Sequence, residues 1–211
     1  MTHRRRLFVL PIVLIGLELL AGCVMSKHMR LAPPGTTYRP DNHQSVVIFL
    51  RPPLASARSR ATTSPSDYPQ YQVSVFELTP TEDKLVGIVS DRTKVAYVTA
   101  PGEHTFMAIG QHANFLKARL DAGKTYFVLL KPYLEVGKPD YALMPMRSND
   151  LVADTFKKSL ENCAYVENTR SAYDWAQHNA KSIESKKRTS WSKWERMPDA
   201  GKPALAPEDG I

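Results

Sequence analysis

The feature that most constrains the fold is a series of short apolar runs between residues 45 and 147, separated by turn residues roughly every ten positions. The runs are rich in the β-branched and aromatic residues that strands prefer. Residues 46–50 and 126–130 are continuous apolar runs, whereas residues 116–121 alternate apolar with polar. No segment with helical periodicity lies between the runs, which argues against a parallel α/β sheet. The pattern predicts a mainly β domain over residues 45–147, an antiparallel β-sandwich of seven to eight strands.

After residue 149 the pattern changes from strand to helix. Residues 171–196 contain neither Pro nor Gly, and an apolar stripe recurs at helical spacing. The members of the stripe are Ala172, Trp175, Ala176, Ala180 and Ile183. We therefore predict a C-terminal helical extension over residues 150–197, a disordered tail over 198–211 and, within the strand region, a mobile loop over 55–70. On this interpretation, deleting residues 150–211 leaves the sandwich folded.

The end of the predicted extension is both basic and aromatic, and its apolar stripe is poorer than that of the preceding turns. One interpretation is a surface that contacts a membrane or an envelope partner. Its candidate residues are Lys186, Lys187, Arg188, Trp191, Lys193 and Trp194. The other interpretation is a helix that packs its stripe of Trp175 and Ile183 on the sandwich and leaves its lysines in water.

The first 22 residues have the three parts of an export signal. A basic head is followed by an apolar run over residues 7–20 and then by Ala21-Gly22. The run is shorter than the roughly 20 residues that a stable membrane-spanning helix needs. The sequence therefore predicts an export signal over residues 1–22 that is cleaved.

Cys23 stands directly after Leu20-Ala21-Gly22, and this stretch resembles the lipobox of bacterial lipoproteins. The resemblance implies cleavage before Cys23 and acylation of that residue, so that two or three acyl chains attach the protein to a membrane that it does not span. By the same resemblance, Val24 in place of Asp predicts the outer membrane, with the protein facing the periplasm. Residues 23–44 contain three prolines and no sustained period, which predicts a tether of about 25 Å as a coil.

Turn motifs in the strand region carry a second resemblance. Arg51-Pro52 after the first run, Val86-Gly87 before a polar turn, and residues 100–104 and 120–128 are similar to the bacterial lipoprotein family called domain of unknown function 2846. The resemblance covers about residues 45–135. It implies a small β-sandwich similar to carbohydrate-binding-like or transthyretin-like modules, and it brings no catalytic residues.

Composition and motifs argue against several classes of protein. Loss of residues 1–22 removes three Arg and one Glu and lowers the net charge from +7 to +5, which is mild for a nucleic-acid-binding protein. Two cysteines are too few for a disulfide framework or a four-cysteine zinc site. The chain has no Gly-x-Ser-x-Gly elbow and no Gly-rich phosphate loop. We therefore predict no catalytic, metal-binding or cofactor-binding residues.

Three residues outside these motifs carry side chains that can bind metal or react, namely His104, His112 and Cys163. His104 and His112 would share a face of a straight strand, but without a nearby Cys or a pair of carboxylates a metal site is not predicted. Cys163 is the thiol that remains once Cys23 is acylated, and it either pairs between chains or stays buried.

The leading hypothesis is a non-enzymatic outer-membrane lipoprotein that presents its sandwich and basic helix to an envelope protein or glycan. One alternative is a small enzyme or ligand-binding module that acts on cell-wall glycan or lipid through a pocket between sandwich loops. Another is a lipoprotein with a structural role in the envelope. Converging carboxylates or histidines in a deep polar pocket would favour the enzyme, and a flat apolar patch would favour the first hypothesis.

Overall fold

The computed structural model describes residues 25–53, 71–135 and 138–211. The predicted export signal, Cys23 and the predicted loop 55–70 lie outside these residues. Eleven strands are present in the described ranges: β1 Met29–Leu31, β2 Ser45–Arg51, β3 Val73–Leu78, β4 Asp83–Val89, β5 Thr93–Thr99, β6 Gly102–Ile109, β7 Ala113–Leu120, β8 Thr125–Glu135, β9 Lys138–Pro145, β10 Ala164–Asn168 and β11 Ala204–Leu205. The helices are α1 Ser148–Leu151, α2 Asp154–Glu161, α3 Arg170–His178 and α4 Ala180–Glu195. None of these helices is both long enough and apolar enough to cross a bilayer.

The strands form two mixed sheets. One has the order β1-β10-β5-β2-β8-β9 and the other the order β11-β7-β6-β3-β4. The hairpins β3–β4, β6–β7 and β8–β9 are antiparallel, as predicted, and strands β2 to β9 lie in the range where seven to eight were expected. Three further pairs are parallel, namely β2 with β8, β10 with β5 and β11 with β7. The purely antiparallel prediction is therefore wrong, because local pattern identifies a strand but not a partner that is distant in sequence.

The two sheets share one buried core. Along β2, Val47 and Phe49 point into this core, and Phe49 meets Phe106 of the other sheet edge to face, with ring centroids 5.1 Å apart. The alternate residues Val46, Ile48 and Leu50 belong to a second buried cluster on the outer side of the sheet. Burial on both faces explains why β2 is a continuous apolar run rather than an alternating one.

Helices from the last third of the chain cover the outer side of each sheet. Helices α3 and α4 lie against the five-stranded sheet, and the buried cluster beneath them includes Met107, Phe115 and Ile183. We call this the α3–α4 face. Helices α1 and α2 lie against the six-stranded sheet, over a cluster that includes Phe127 and Phe156. We call this the α1–α2 face.

The amino-terminal segment is not the free tether that the sequence predicted. The Ser26 backbone N–H donates to Ser90 Oγ at 3.1 Å, and both Ser26 and Met29 are buried. Strand β1 then pairs with β10, a partner more than a hundred residues away in the chain. Apolar burial and strand pairing offset the conformational entropy that a tether would keep. From Met25 onward the segment therefore belongs to the folded body.

The carboxyl-terminal part also differs from its prediction. The predicted helical extension over residues 150–197 contains strand β10 as well as helices, and Cys163 is buried within it. In the predicted disordered tail, β11 pairs with β7 and Leu205 is buried. The Ile211 backbone exchanges two hydrogen bonds with Thr125, at 2.7 and 3.1 Å. The local pattern did not predict strands β10 and β11, because they are stabilised by pairing with β5 and β7, which are distant in sequence.

Candidate functional site

The aromatic part of the predicted contact surface faces inward. Trp194 is buried, and Trp191 is half-buried. Phe115 of β7 packs on both, with its ring centroid 5.0 Å from Trp191 and 5.5 Å from Trp194, and the two tryptophan rings lie 4.9 Å apart. Lys117 and Lys202 lie over the Trp194 ring at 5.6 and 5.1 Å. The tryptophans thus attach α4 to the sheet.

The basic part of that surface is divided between the body and the solvent. Lys186 Nζ donates to the Gly110 carbonyl at 2.6 Å. Lys187 Nζ lies 2.7 and 2.9 Å from the two carboxylate oxygens of Asp83, so it forms an ion pair with β4. Arg188 and Lys193 are exposed. Of the six residues predicted, these two direct their charge toward solvent.

A cleft of about 490 Å³ opens on the α3–α4 face, beside the first described residues of the chain. Its floor is apolar, with Ile88, Ile109 and Ile183, and its rim is polar or basic. The lining residues are Met25, Lys27, His28, Gln72, Ser74, Ile88, Ile109, Gly110, Trp175, Asn179, Ser182, Ile183 and Lys186. No acidic side chain is among these lining residues. We call this the amino-terminal cleft.

The amino-terminal side of this cleft is held rigidly on α3. His28 Nδ1 lies 3.2 Å from Ser171 Oγ, and the imidazole lies 6.1 Å from the Trp175 ring. The Thr169 hydroxyl and backbone N–H both donate to the His28 carbonyl, at 2.7 and 3.1 Å. Because Thr169 is the residue before α3, these bonds fix the start of the helix to the segment that follows Met25.

A second cleft, of about 690 Å³, lies between β6, β7 and the β11 segment and contains a buried carboxylate. Glu77 accepts from the Tyr97 hydroxyl at 2.5 Å, and its other oxygen lies 2.5 Å from His104 Nδ1. His104 Nε2 lies 2.9 Å from the Ala100 carbonyl, which only accepts, so Nε2 carries a hydrogen. Burial, and then the hydrogen bond to Glu77, raise the pKa of the Tyr97 hydroxyl.

This arrangement is closed rather than poised for chemistry. Both nitrogens of His104 are occupied, one by Glu77 and one by Ala100. A general base needs a nitrogen or oxygen within hydrogen-bond reach of the substrate proton that it removes. The Glu77 cluster therefore ties β3, β5 and β6 together and leaves no imidazole lone pair for a substrate.

His112 pairs with a different carboxylate. Asp140 is fully buried and accepts from the His112 backbone N–H at 3.2 Å, with His112 Nδ1 at 3.0 Å. The Tyr141 backbone N–H also donates to Asp140, at 3.0 Å. These bonds join β9 of one sheet to the β6–β7 turn of the other. His104 and His112 thus serve separate clusters, and no three His, Cys, Asp or Glu side chains of residues 25–53, 71–135 and 138–211 group as metal ligands.

No protein-family model matches the chain, and no match is found among curated proteins. The geometry adds residues that the sequence reasoning missed, chiefly Met25, Lys27 and His28, which were assigned to the tether. The available signal was the pair Met25 and Met29, two apolar residues four apart in a largely polar segment. That signal is too short to predict a cleft.

Proposed function

We propose that the protein is a non-enzymatic, lipid-anchored lipoprotein of the bacterial cell envelope. It is attached to the outer membrane through acyl chains on Cys23 and faces the periplasm. The observation that carries the proposal is the placement of Cys23 directly after the predicted export signal and two residues before Met25, which packs on the folded body. The resemblance to domain of unknown function 2846 supports the same assignment, and we interpret the two-sheet body as the β-sandwich of that family.

The body presents two exposed basic residues on α4 to an envelope partner, protein or glycan. Arg188 borders a shallow groove of about 440 Å³ with Leu78 and Trp191, and Lys193 lies five residues further along the helix, outside the groove. A half-buried aromatic residue beside an exposed arginine is typical of interface centres. We place the partner contact at Arg188 and Lys193 rather than at all six residues that the sequence predicted.

The alternative, a small enzyme or ligand-binding module, has one observation in its favour. Glu77 and His104 converge at the cleft beside β11, together with Glu103, Lys117 and Arg119 at its rim. The closed hydrogen bonds of His104 argue against catalysis there. Binding of a polar glycan at the rim is compatible with an envelope lipoprotein and with a ligand-binding module. Such binding does not need the buried pair Glu77 and His104.

The anchor is tested by replacing the modified cysteine. In cells fed labelled palmitate, the wild-type protein is expected to carry label and to sediment with membranes, and Cys23→Ala is expected to do neither. Cys163→Ala is the matched control, because that thiol is buried in the folded protein and should not affect acylation. Palmitate label retained by Cys23→Ala would contradict the proposal.

A further inference from the structure

The anchor leaves the body at a fixed place. Two residues of chain span at most about 7 Å, so the Cα of Met25 lies within that distance of the Cα of Cys23. Met25 itself packs on the α3–α4 cluster, and the next residue, Ser26, is buried against Ser90. The chain therefore has almost no slack between an acylated Cys23 and the folded body. With Cys23 acylated, the surface around Met25 lies at the lipid headgroups.

The surface around Met25 has the charge that an anionic leaflet attracts. Lys27 is exposed at the rim of the amino-terminal cleft, and His28 and Lys186 line it with no acidic side chain between them. Asn179 and Ser182 add neutral hydrogen-bonding groups on the helical side. Basic residues next to a membrane surface are attracted to anionic lipids, by about fivefold in affinity for each residue.

The opposite side of the body lacks this charge pattern. The helices of the α1–α2 face carry Asp150, Asp154 and Glu161 together with Lys157 and Lys158, a nearly balanced set. Of the acidic residues on the helices of the α3–α4 face, Asp174 is exposed and Glu184 lies 3.7 Å from Lys187 in the neighbouring groove. Neither lines the amino-terminal cleft.

We propose that the amino-terminal cleft is a phospholipid-binding surface, occupied by anionic headgroups of the leaflet that holds the anchor. The inference rests on the proposed acylation of Cys23. The exposed Lys27 contacts the headgroup phosphate, and Lys186, whose Nζ also donates to the Gly110 carbonyl, adds positive charge beside it. The exposed parts of the half-buried Met25 and Trp175 face the boundary between headgroups and acyl chains. The body thus lies against the membrane with its α1–α2 face directed away from it, and the α4 groove near Arg188 stays open at its side.

The orientation is tested with the full-length acylated protein in vesicles. Nitroxide labels are attached in turn at Ser182→Cys, on the cleft wall, and at Thr155→Cys, on the exposed side of α2, both in a Cys163→Ala background. Their accessibility to a nickel chelate carried on lipid headgroups is measured by electron paramagnetic resonance. In vesicles of phosphatidylethanolamine and phosphatidylglycerol, the label at 182 is expected to be relaxed strongly and the label at 155 to remain in water. Equal relaxation of both labels would overturn the proposed orientation.

The role of the anionic headgroup is tested by reversing one charge. Lys27→Glu is expected to lower the lipid contact of the 182 label several-fold in phosphatidylglycerol-containing vesicles and to leave it unchanged in phosphatidylcholine vesicles. Lys158→Glu on α2 is the matched control, with the same change of charge on the opposite face, and should have no effect. Contact that is insensitive both to Lys27→Glu and to lipid charge would overturn the headgroup assignment.

The outcomes for the anchor and for the cleft are separable. A purified protein that lacks acyl mass and does not associate with vesicles refutes the proposed function. An acylated, vesicle-bound protein whose 182 label stays in water refutes the cleft proposal alone.

Discussion

The two outer faces of the body are covered in different ways. On the α1–α2 face, two short helices close over the sheet, with Phe156 packed edge to face on Phe127 at 5.3 Å. On the α3–α4 face, longer helices bring Trp191 and Trp194 onto Phe115, yet the amino-terminal cleft stays open at the other end. The open end lies beside Met25, Lys27 and His28. The comparison indicates that the α1–α2 cover closes over its apolar cluster, whereas the α3–α4 cover also forms one wall of a cleft.

The largest effect is expected from removing both covers at once. Deletion of residues 150–211 takes away α2, α3 and α4 and also β10 and β11, one strand from each sheet. It exposes apolar side chains on both outer faces, Phe115 and Phe127 among them. The loss should exceed the whole stability of a domain of this size, about 5–15 kcal/mol. We therefore expect the opposite of what the sequence pattern suggested, a cooperative loss of β signal by circular dichroism.

The truncated protein should be compared with a full-length chain made in the same way. A truncated protein that retains the full β signal and melts cooperatively would show that the covers are appendages after all. In that case, the buried clusters of the two outer faces would contribute little to the fold.

A smaller and more selective effect is expected from one aromatic residue under each cover. Phe115→Ala should cost about 4 kcal/mol and Phe156→Ala about 3 kcal/mol, within the range for buried phenylalanines. The order follows from their neighbours, since Phe115 contacts two tryptophan rings and Phe156 one phenylalanine ring. Urea denaturation measures the loss of unfolding free energy in both variants. Phe115→Leu and Phe156→Leu are the controls, because leucine keeps most of the apolar volume. A larger loss at Phe156 would show that the α1–α2 face is the better packed of the two.

The residues show why the prediction of the fold succeeded only in part. Strands β2 to β9 could be predicted, because each buries a side and so carries apolar residues in a run or in alternation. Strands β1 and β11 are three and two residues long and could not, since their stability comes from β10 and β7, which lie far away in sequence. The parallel pairing of β2 with β8 has the same cause. Local periodicity indicates which side chains are buried, but it does not indicate which strand pairs with which.

The candidate site was harder to predict than the fold. The helical stripe with Trp175 and Ile183 was recognised, and both residues do face the sheet. The amino-terminal cleft, however, combines residues from positions 25–28, 109–110 and 175–186, and no short pattern links them. The basic and aromatic composition of α4 suggested one continuous surface. The structure divides it, because a helix turns Lys187 and Trp194 toward the sheet and leaves Arg188 and Lys193 outside.

The smallest change in stability is expected from a substitution in the amino-terminal segment, which contacts both faces. Met25 packs on the α3–α4 cluster, and further along Tyr38 packs on the α1–α2 cluster. The Tyr38 hydroxyl donates to Glu167 Oε1 at 3.1 Å, and its ring lies 5.0 Å from Tyr165. Burial, and then the hydrogen bond to Glu167, raise the pKa of Tyr38 to about 12.

A tyrosine whose pKa is higher in the folded than in the unfolded state stabilises the fold below about pH 10, and that contribution is lost as the pH rises through about 12. The free energy of unfolding should therefore fall over this interval, and Tyr38→Phe should make the fall shallower while costing less than about 1 kcal/mol near neutral pH. Urea denaturation between pH 8 and 11.5 measures the free energy of unfolding of the wild type and of Tyr38→Phe. Tyr173→Phe is the control, because Tyr173 is an exposed tyrosine of the α3–α4 face. Parallel pH curves for the wild type and Tyr38→Phe would mean that Tyr38 does not attach the segment to the α1–α2 face. The segment would then be held on the α3–α4 face alone, where the proposed anchor emerges.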